Sequence, residues 1–283
     1  MPVNQPLLFD TNAALRANAR ARRLDGDRFV EHAAAEGLAD RLGAVTRNFK
    51  HGLWIGPGVH KKLVGFAQSW DTAHFGPSEE LVHPPGEYDL AIALFSLQAV
   101  NDLPGALVQI RRALKPDGLF LAAILGGSTL SELREAFAHG ESATRGGISP
   151  RVSPFVDVRD GGALLQRAGF TLPVADVERL LVRYGDFFAL VRDLRVHGFT
   201  NVLAQRSRAP LRRDTLDAML SHYSRHHGDP DGRIRARFET LYLTGWTAHE
   251  SQQKPLRPGS AKTRLADALG TQEQTIESRS RQR

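Results

Sequence analysis

The chain of 283 residues contains no cysteine. That absence excludes a disulfide framework, a thiolate zinc site, an iron–sulfur cluster and a cysteine nucleophile together. Long apolar runs are also missing. None approaches the ~18 residues that a membrane-spanning helix needs, and no signal-peptide hydrophobic region follows Met1. There is no G-x-x-x-x-G-K-[ST] segment, which excludes a P-loop, and there is no internal repeat. What remains is an ordinary globular composition, 41% hydrophobic and 24% charged, sufficient for one large domain or two small ones. The net charge is +6, and Arg carries most of the positive charge. Arg suits carboxylate, phosphate and protein-interface contacts. The basic residues are not interleaved with aromatics, so a nucleic-acid partner is not expected.

The pattern is organised around residues 51–60, His-Gly-Leu-Trp-Ile-Gly-Pro-Gly-Val-His. A strand-like run enters a Gly-rich turn, and residues 61–67 read as a helix leaving it. Gly56 and Gly58 permit close backbone approach to a ligand, as in the first turn of an open α/β sheet. Before it, residues 12–23 and 27–42 read as two helices, with Asp10 or Thr11 capping the first. Arg16, Arg20 and Arg23 share one face, either a solvated surface or a docking strip for an acidic partner. After it, Gly76, Pro77, Pro84, Pro85 and Gly86 leave no room for a full crossover helix between residues 71 and 88.

Residues 88–97 form a continuous apolar run, the mark of a central strand buried on both faces. Asn101 or Asp102 caps a helix through Leu114, and Lys115-Pro116-Asp117-Gly118 reads as a turn. A strand follows over 119–125, then a helix through Ala138 capped by Ser128 or Thr129. Further helices are expected at 158–168, 185–197 and 213–227, and strands at 171–181 and 235–246. Beyond Gly270 the composition predicts disorder. His222 and His226 stand at i, i+4, a spacing able to seat one metal. No Glu lies between them in the zinc-protease pattern and a Gly-Asp-Pro-Asp-Gly turn follows, so a solvated helix end is expected and no metal site.

The order of Gly-rich turn, Tyr88-Asp89-Leu90 strand, Asn101-Asp102-Leu103-Pro104 helix and Leu114-Lys115-Pro116-Asp117-Gly118 turn resembles the class I S-adenosylmethionine-dependent methyltransferases. Three later motifs narrow the resemblance: residues 126–134, residues 147–155, and Gly245-Trp246 with residues 249–252 and 259–261. Together with the rest, from Phe9 to Leu269, they resemble the mitochondrial complex I assembly factor 5 family and its bacterial relatives.

The resemblance implies a Rossmann-like, seven-stranded sheet with an antiparallel last strand. A helical cap (1–49) would precede a methyltransferase-like domain (50–269), and a disordered tail (270–283) would follow. It implies S-adenosylmethionine as cofactor, a respiratory complex I subunit as partner, and either methyl transfer or arginine hydroxylation as chemistry. Carried over residue by residue, Gly56 and Gly58 are the loop glycines and Asp71 is the ribose-binding acid. Residues 126–134 and 147–155 shape the substrate mouth, and no catalytic base is assigned. Trp54, His60 and Ser78 depart from the family pattern, as do Gln98-Ala99 where members often carry His-Trp. These departures raise a second reading, a scaffold that kept the fold without the cofactor. The closeness of the match to Met1 leads to the expectation of a bacterial cytoplasmic form.

Overall fold

In the computed structural model, which describes residues 7–252, the elements alternate as the apolar runs require. Helices α1 (Thr11–Ala21) and α2 (Phe29–Gly43) lead into β1 (Phe49–Ile55), then β2 (Ala67–Ala73) and β3 (Tyr88–Leu94). Next come α3 (Leu103–Ala113), β4 (Leu114–Leu125), α4 (Ser131–Arg145) and α5 (Val158–Arg167). The chain continues through β5 (Thr171–Tyr184), α6 (Phe187–Val196), α7 (Arg213–His227) and β6 (Ile234–Trp246). The strands form one sheet in the order β2-β1-β3-β4-β6-β5. The first four are parallel, and β6 runs antiparallel to both β4 and β5. The Rossmann-like α/β class and the antiparallel last strand are therefore as expected.

The strand count is not. Among the described residues there are six strands, and the one missing from the expected seven would lie outside β2. Residues 74–87, where the chain would build it together with a crossover helix, hold the Pro and Gly breakers and are irregular. The segment is held instead by Glu79. Its carboxylate accepts from the backbone N–H groups of Asn101 (2.7 Å) and Asp102 (2.8 Å) at the start of α3. Asp102 in turn caps α3 by accepting from the Gly105 N–H at 2.9 Å.

Three further expectations are corrected. Residues 61–67 do not form an α-helix; a single 3-10 turn, Val64–Phe66, precedes β2 directly. Residues 59–66, which join Gly58 to the parallel neighbour of β1, are too few for a full crossover helix with its loops. The Lys-Pro-Asp-Gly segment is not a separate turn but an irregularity inside β4. Its register jumps from Tyr88↔Leu114 to Leu90↔Leu119, with Asp117 at φ 61°. Ser128 and Thr129 do not cap α4, which begins after Leu130 at φ 54° and runs past Ala138 to Arg145.

The sheet is buried on both faces around β3, in which every residue is buried. One face carries α3 and α5 over Leu53, Ile55, Ile110, Phe120 and Leu165. The other carries α2 over Trp54, Leu90, Ile92 and Leu121. A third cluster joins α4, α6 and α7 to β6 through Leu133, Leu190, Met219 and Phe238. Helix α2 sits close because Gly37 lies directly on Tyr242, where a Cβ would come 2.3 Å from the hydroxyl. Arg41 crosses the Tyr242 ring at 3.6 Å and pairs with Asp176 and Glu178 of β5. Helices α1 and α2 belong to the same compact unit as the sheet, which extends to His249; a separate C-terminal unit begins at Glu250. The expected tail at 270–283 lies outside the described residues, as does the expected boundary at 269. No helix among the described residues is long and apolar enough to cross a membrane.

Candidate functional site

Parallel strands β1 and β3 end side by side, and their C-terminal ends open into a cleft. The Gly-rich turn makes its floor. Gly56 and Gly58 have φ of 150° and 149°, a backbone region open to glycine but not to residues bearing a Cβ. Around Gly58 the space a side chain would enter is empty to 4 Å. The cleft has a volume of about 270 Å³ and is walled by α1, the start of α2, the turn, and the residues that follow β2, β3 and α6. A smaller pocket of about 60 Å³ adjoins it, sharing Asn18, Phe95, Ser96 and Phe199 and reaching Ser153 and Phe155.

Trp54 does not fill this space. Its side chain is buried in the face beneath α2, set edge-on to Trp70, and the indole forms the cleft wall beside Gly56. Its buried Nε1 has no hydrogen-bond partner among the described residues, an uncommon state for a buried donor. His60 is not among the lining residues; its ring faces His32 at 5.5 Å. At the end of β3, Phe95 holds φ 48°, a strained conformation for a bulky side chain. Its N–H donates to Ala123 and its ring meets Phe199 edge-on, while Ser96 Oγ donates to the Ile55 carbonyl at 2.5 Å. Strained backbone of this kind clusters at ligand sites.

The structure places Asp71 elsewhere. It pairs with Leu53, two residues before the end of β2, and its carboxylate accepts from Tyr88 Oη at 2.9 Å. His51 Nε2 stands 3.3 Å from the same oxygen. Burial and then the Asp71 carboxylate raise the Tyr88 hydroxyl well above its ordinary range, so it remains a donor. Gly56 and Gly58 line the cleft and Asp71 does not. The residues that follow β2 into the cleft are His74 and Phe75.

The two later motifs, residues 126–134 and 147–155, meet where Arg134 donates to the Ser153 carbonyl at 3.2 Å. Gly126 bridges Val156. Ser128 Oγ donates to Glu239 at 2.7 Å, and Arg179 pairs with the same carboxylate at 2.8 Å. Residues 147–155 are anchored on Glu141, whose side chain is fully buried. It accepts from the Ser149 N–H at 2.6 Å and from Arg151 at 2.6 and 2.8 Å. Burial alone would raise this carboxyl; these bonds outweigh it and hold it below the usual carboxylate range.

A family profile described as a methyltransferase domain matches residues 9–173, more than half of the chain. The chain belongs to the methyltransferase-domain family. Among its relatives is the arginine-hydroxylase NDUFAF5, mitochondrial, of Rattus norvegicus, 36% identical over 81% of this chain and 74% of that protein. The protein of the same name from Dictyostelium discoideum is 42% identical over 65% of this chain, but the match spans only 42% of that longer protein. Among solved structures, the YcgJ protein from Bacillus subtilis covers 77% of this chain and 99% of its own, with a TM-score of 0.50 and 14% identity. That likeness supports the fold.

Several cleft residues carry no motif. His74 and Phe95 are legible only once the ends of β2 and β3 are fixed. His197 and Phe199 reach the cleft by the return of α6, which local pattern does not encode. His197 accepts from the Val30 N–H through Nε2 (3.3 Å), and its Nδ1 faces the Asp193 carbonyl at 2.9 Å. Burial keeps its pKa below the ordinary value, so this imidazole is a neutral wall element.

Proposed function

We propose that the cleft binds S-adenosylmethionine and that the chain modifies an arginyl side chain on a subunit of respiratory complex I, as a member of the complex I assembly factor 5 type. The open space beside Gly56 and Gly58, continuous with the pocket at Ser153 and Phe155, carries this reading. The residues present fit the amino-acid end of the cofactor. The two glycines admit it to the backbone, and Arg28 and Glu31, 3.7 Å from each other, put both signs of charge on the cleft wall. Toward the ribose, the polar side chains at hand are His74 and Ser96 rather than an acid. What the cofactor supplies when bound is an electrophilic methyl group on a sulfonium sulfur. The chain's own part is to hold it against Gly56–Gly58, to exclude water with Phe95 and Phe199, and to admit the target past residues 147–155.

The test is genetic and chemical together. Cells lacking the gene should fail to assemble complex I on native gels, and the wild-type gene should restore assembly. Mass spectrometry of the complex I subunits then reads whether an arginine gained a methyl group or an oxygen. Normal assembly in the deletion strain would overturn the reading. Full restoration by a G58V variant that no longer binds the cofactor would leave docking without catalysis as the role.

A further inference from the structure

The outer face of the α4–α7 pair gathers five side chains whose common property is metal ligation. Glu135 and His139 stand at i, i+4 on α4, and His222 and His226 at i, i+4 on α7, with His227 next in sequence. The helices approach closely because α4 carries Gly140, where a Cβ would come 2.8 Å from the Thr215 carbonyl and 2.9 Å from Met219 Cβ. That approach brings Glu135 between two imidazoles. Its two oxygens stand 3.1 Å from His222 Nε2 and 3.1 Å from His227 Nε2. One donor atom from each of the three residues lies within 4.8 Å of the others. The His139 ring stacks on His222 at 4.2 Å, and the His226 ring stacks on its other side at 4.0 Å.

We propose that Glu135, His222 and His227 bind a divalent transition metal of the zinc class, with His139 beside them as the nearest further imidazole. Each imidazole stands 3.1 Å from one of the two carboxylate oxygens, and one donor atom of each residue lies within 4.8 Å of the others; ligands of a tetrahedral ion lie about 3.4 Å apart, so side-chain rotations gather the three round one metal. Two imidazoles and one carboxylate are a borderline set, suited to zinc and its neighbours rather than to calcium or magnesium. The sequence pair at i, i+4, His222 and His226, is not the ligand pair. The donor atoms that converge are those of Glu135, His222 and His227, while His226 Nδ1 is turned to the His222 carbonyl at 3.0 Å. None of these residues lines the cleft, so the ion is a clamp between α4 and α7. Helix α4 also carries Glu141, the anchor of residues 147–155. The clamp therefore stiffens the element that holds the substrate mouth.

The experiment uses the full chain without an affinity tag, stripped with a chelator and titrated with zinc chloride by calorimetry. One equivalent should bind with a micromolar or tighter dissociation constant, and thermal unfolding should move upward in its presence. The H222Q/H227Q double variant and E135Q should each lose at least tenfold in affinity while melting, without zinc, close to the metal-free wild type. H226Q should bind zinc like the wild type. Absence of stoichiometric binding, or equal binding by the double variant, would overturn the proposal and leave Glu135 as an ion-pair partner of two histidines.

Discussion

Two glycine-rich turns leave the C-terminal ends of parallel strands in this sheet, and they are put to opposite uses. Gly56-Pro57-Gly58 after β1 opens onto a cleft, with left-handed φ at both glycines and free space around Gly58. Gly126-Gly127-Ser128 after β4 is closed by the chain itself: a Cβ at Gly126 would come 2.6 Å from Glu239 Oε1, and Ser128 donates to the same carboxylate. The first turn spends its glycines on a ligand's approach and the second on packing. A glycine-rich turn after a strand therefore marks a site only when what faces the missing Cβ is space. The same division runs through the molecule. The β1–β2 side is reduced to short strands and a 3-10 turn, whereas the β5–β6 side has strands of 14 and 13 residues and the anchored loops.

Substitutions on the closed side should act through stability. E141A removes the acceptor of Ser149 and Arg151 at a fully buried position and should cost about 3 kcal/mol in denaturant unfolding. G126A should cost about 2 kcal/mol by forcing Glu239 from its bonds, with cofactor affinity unchanged in the folded protein. On the open side the signature should reverse. G58A meets no neighbour, so its cost of about 1 kcal/mol is backbone strain alone, but calorimetry should show cofactor affinity falling more than stability. If G58A and G126A weakened binding equally, the distinction between the turns would fail.

The smallest effect concerns the neutral wall. The unfolded chain's histidines protonate near 6.5, whereas burial lowers the folded values of His197 and His60. Between those values the unfolded state binds more protons, so stability should fall as pH drops below about 6.5. A flatter dependence of the melting temperature on pH in H197Q would confirm the contribution of His197; an unchanged slope would remove it.

Much of the frame was readable because its signals are local. The continuous apolar run of β3 and the Asp102 cap of α3 depend on neighbours in sequence, and both elements begin where those patterns put them. The loop glycines were likewise legible, since their position between an apolar strand and a break needs no tertiary knowledge. What was not legible depended on distance. The apolar residues of 61–67 suit a helix, but the parallel pairing of β2 with β1 leaves room for one 3-10 turn only. Ser128 and Thr129 look like caps until Glu239, more than a hundred residues away, claims both. Asp71 has the right chemistry for a ribose, yet its register opposite Leu53 turns it toward Tyr88 and His51, and His74 enters the cleft.

Thermal unfolding with S-adenosylmethionine or S-adenosylhomocysteine shows whether the turn at Gly56–Gly58 receives a ligand. A ligand that binds the native state alone adds about 2.7 kcal/mol at a hundredfold excess over its dissociation constant, which moves the melting temperature visibly. Both compounds should move the melting temperature of the wild type upward, and that of G58A by less. An unshifted melting curve at millimolar ligand would contradict binding at this turn.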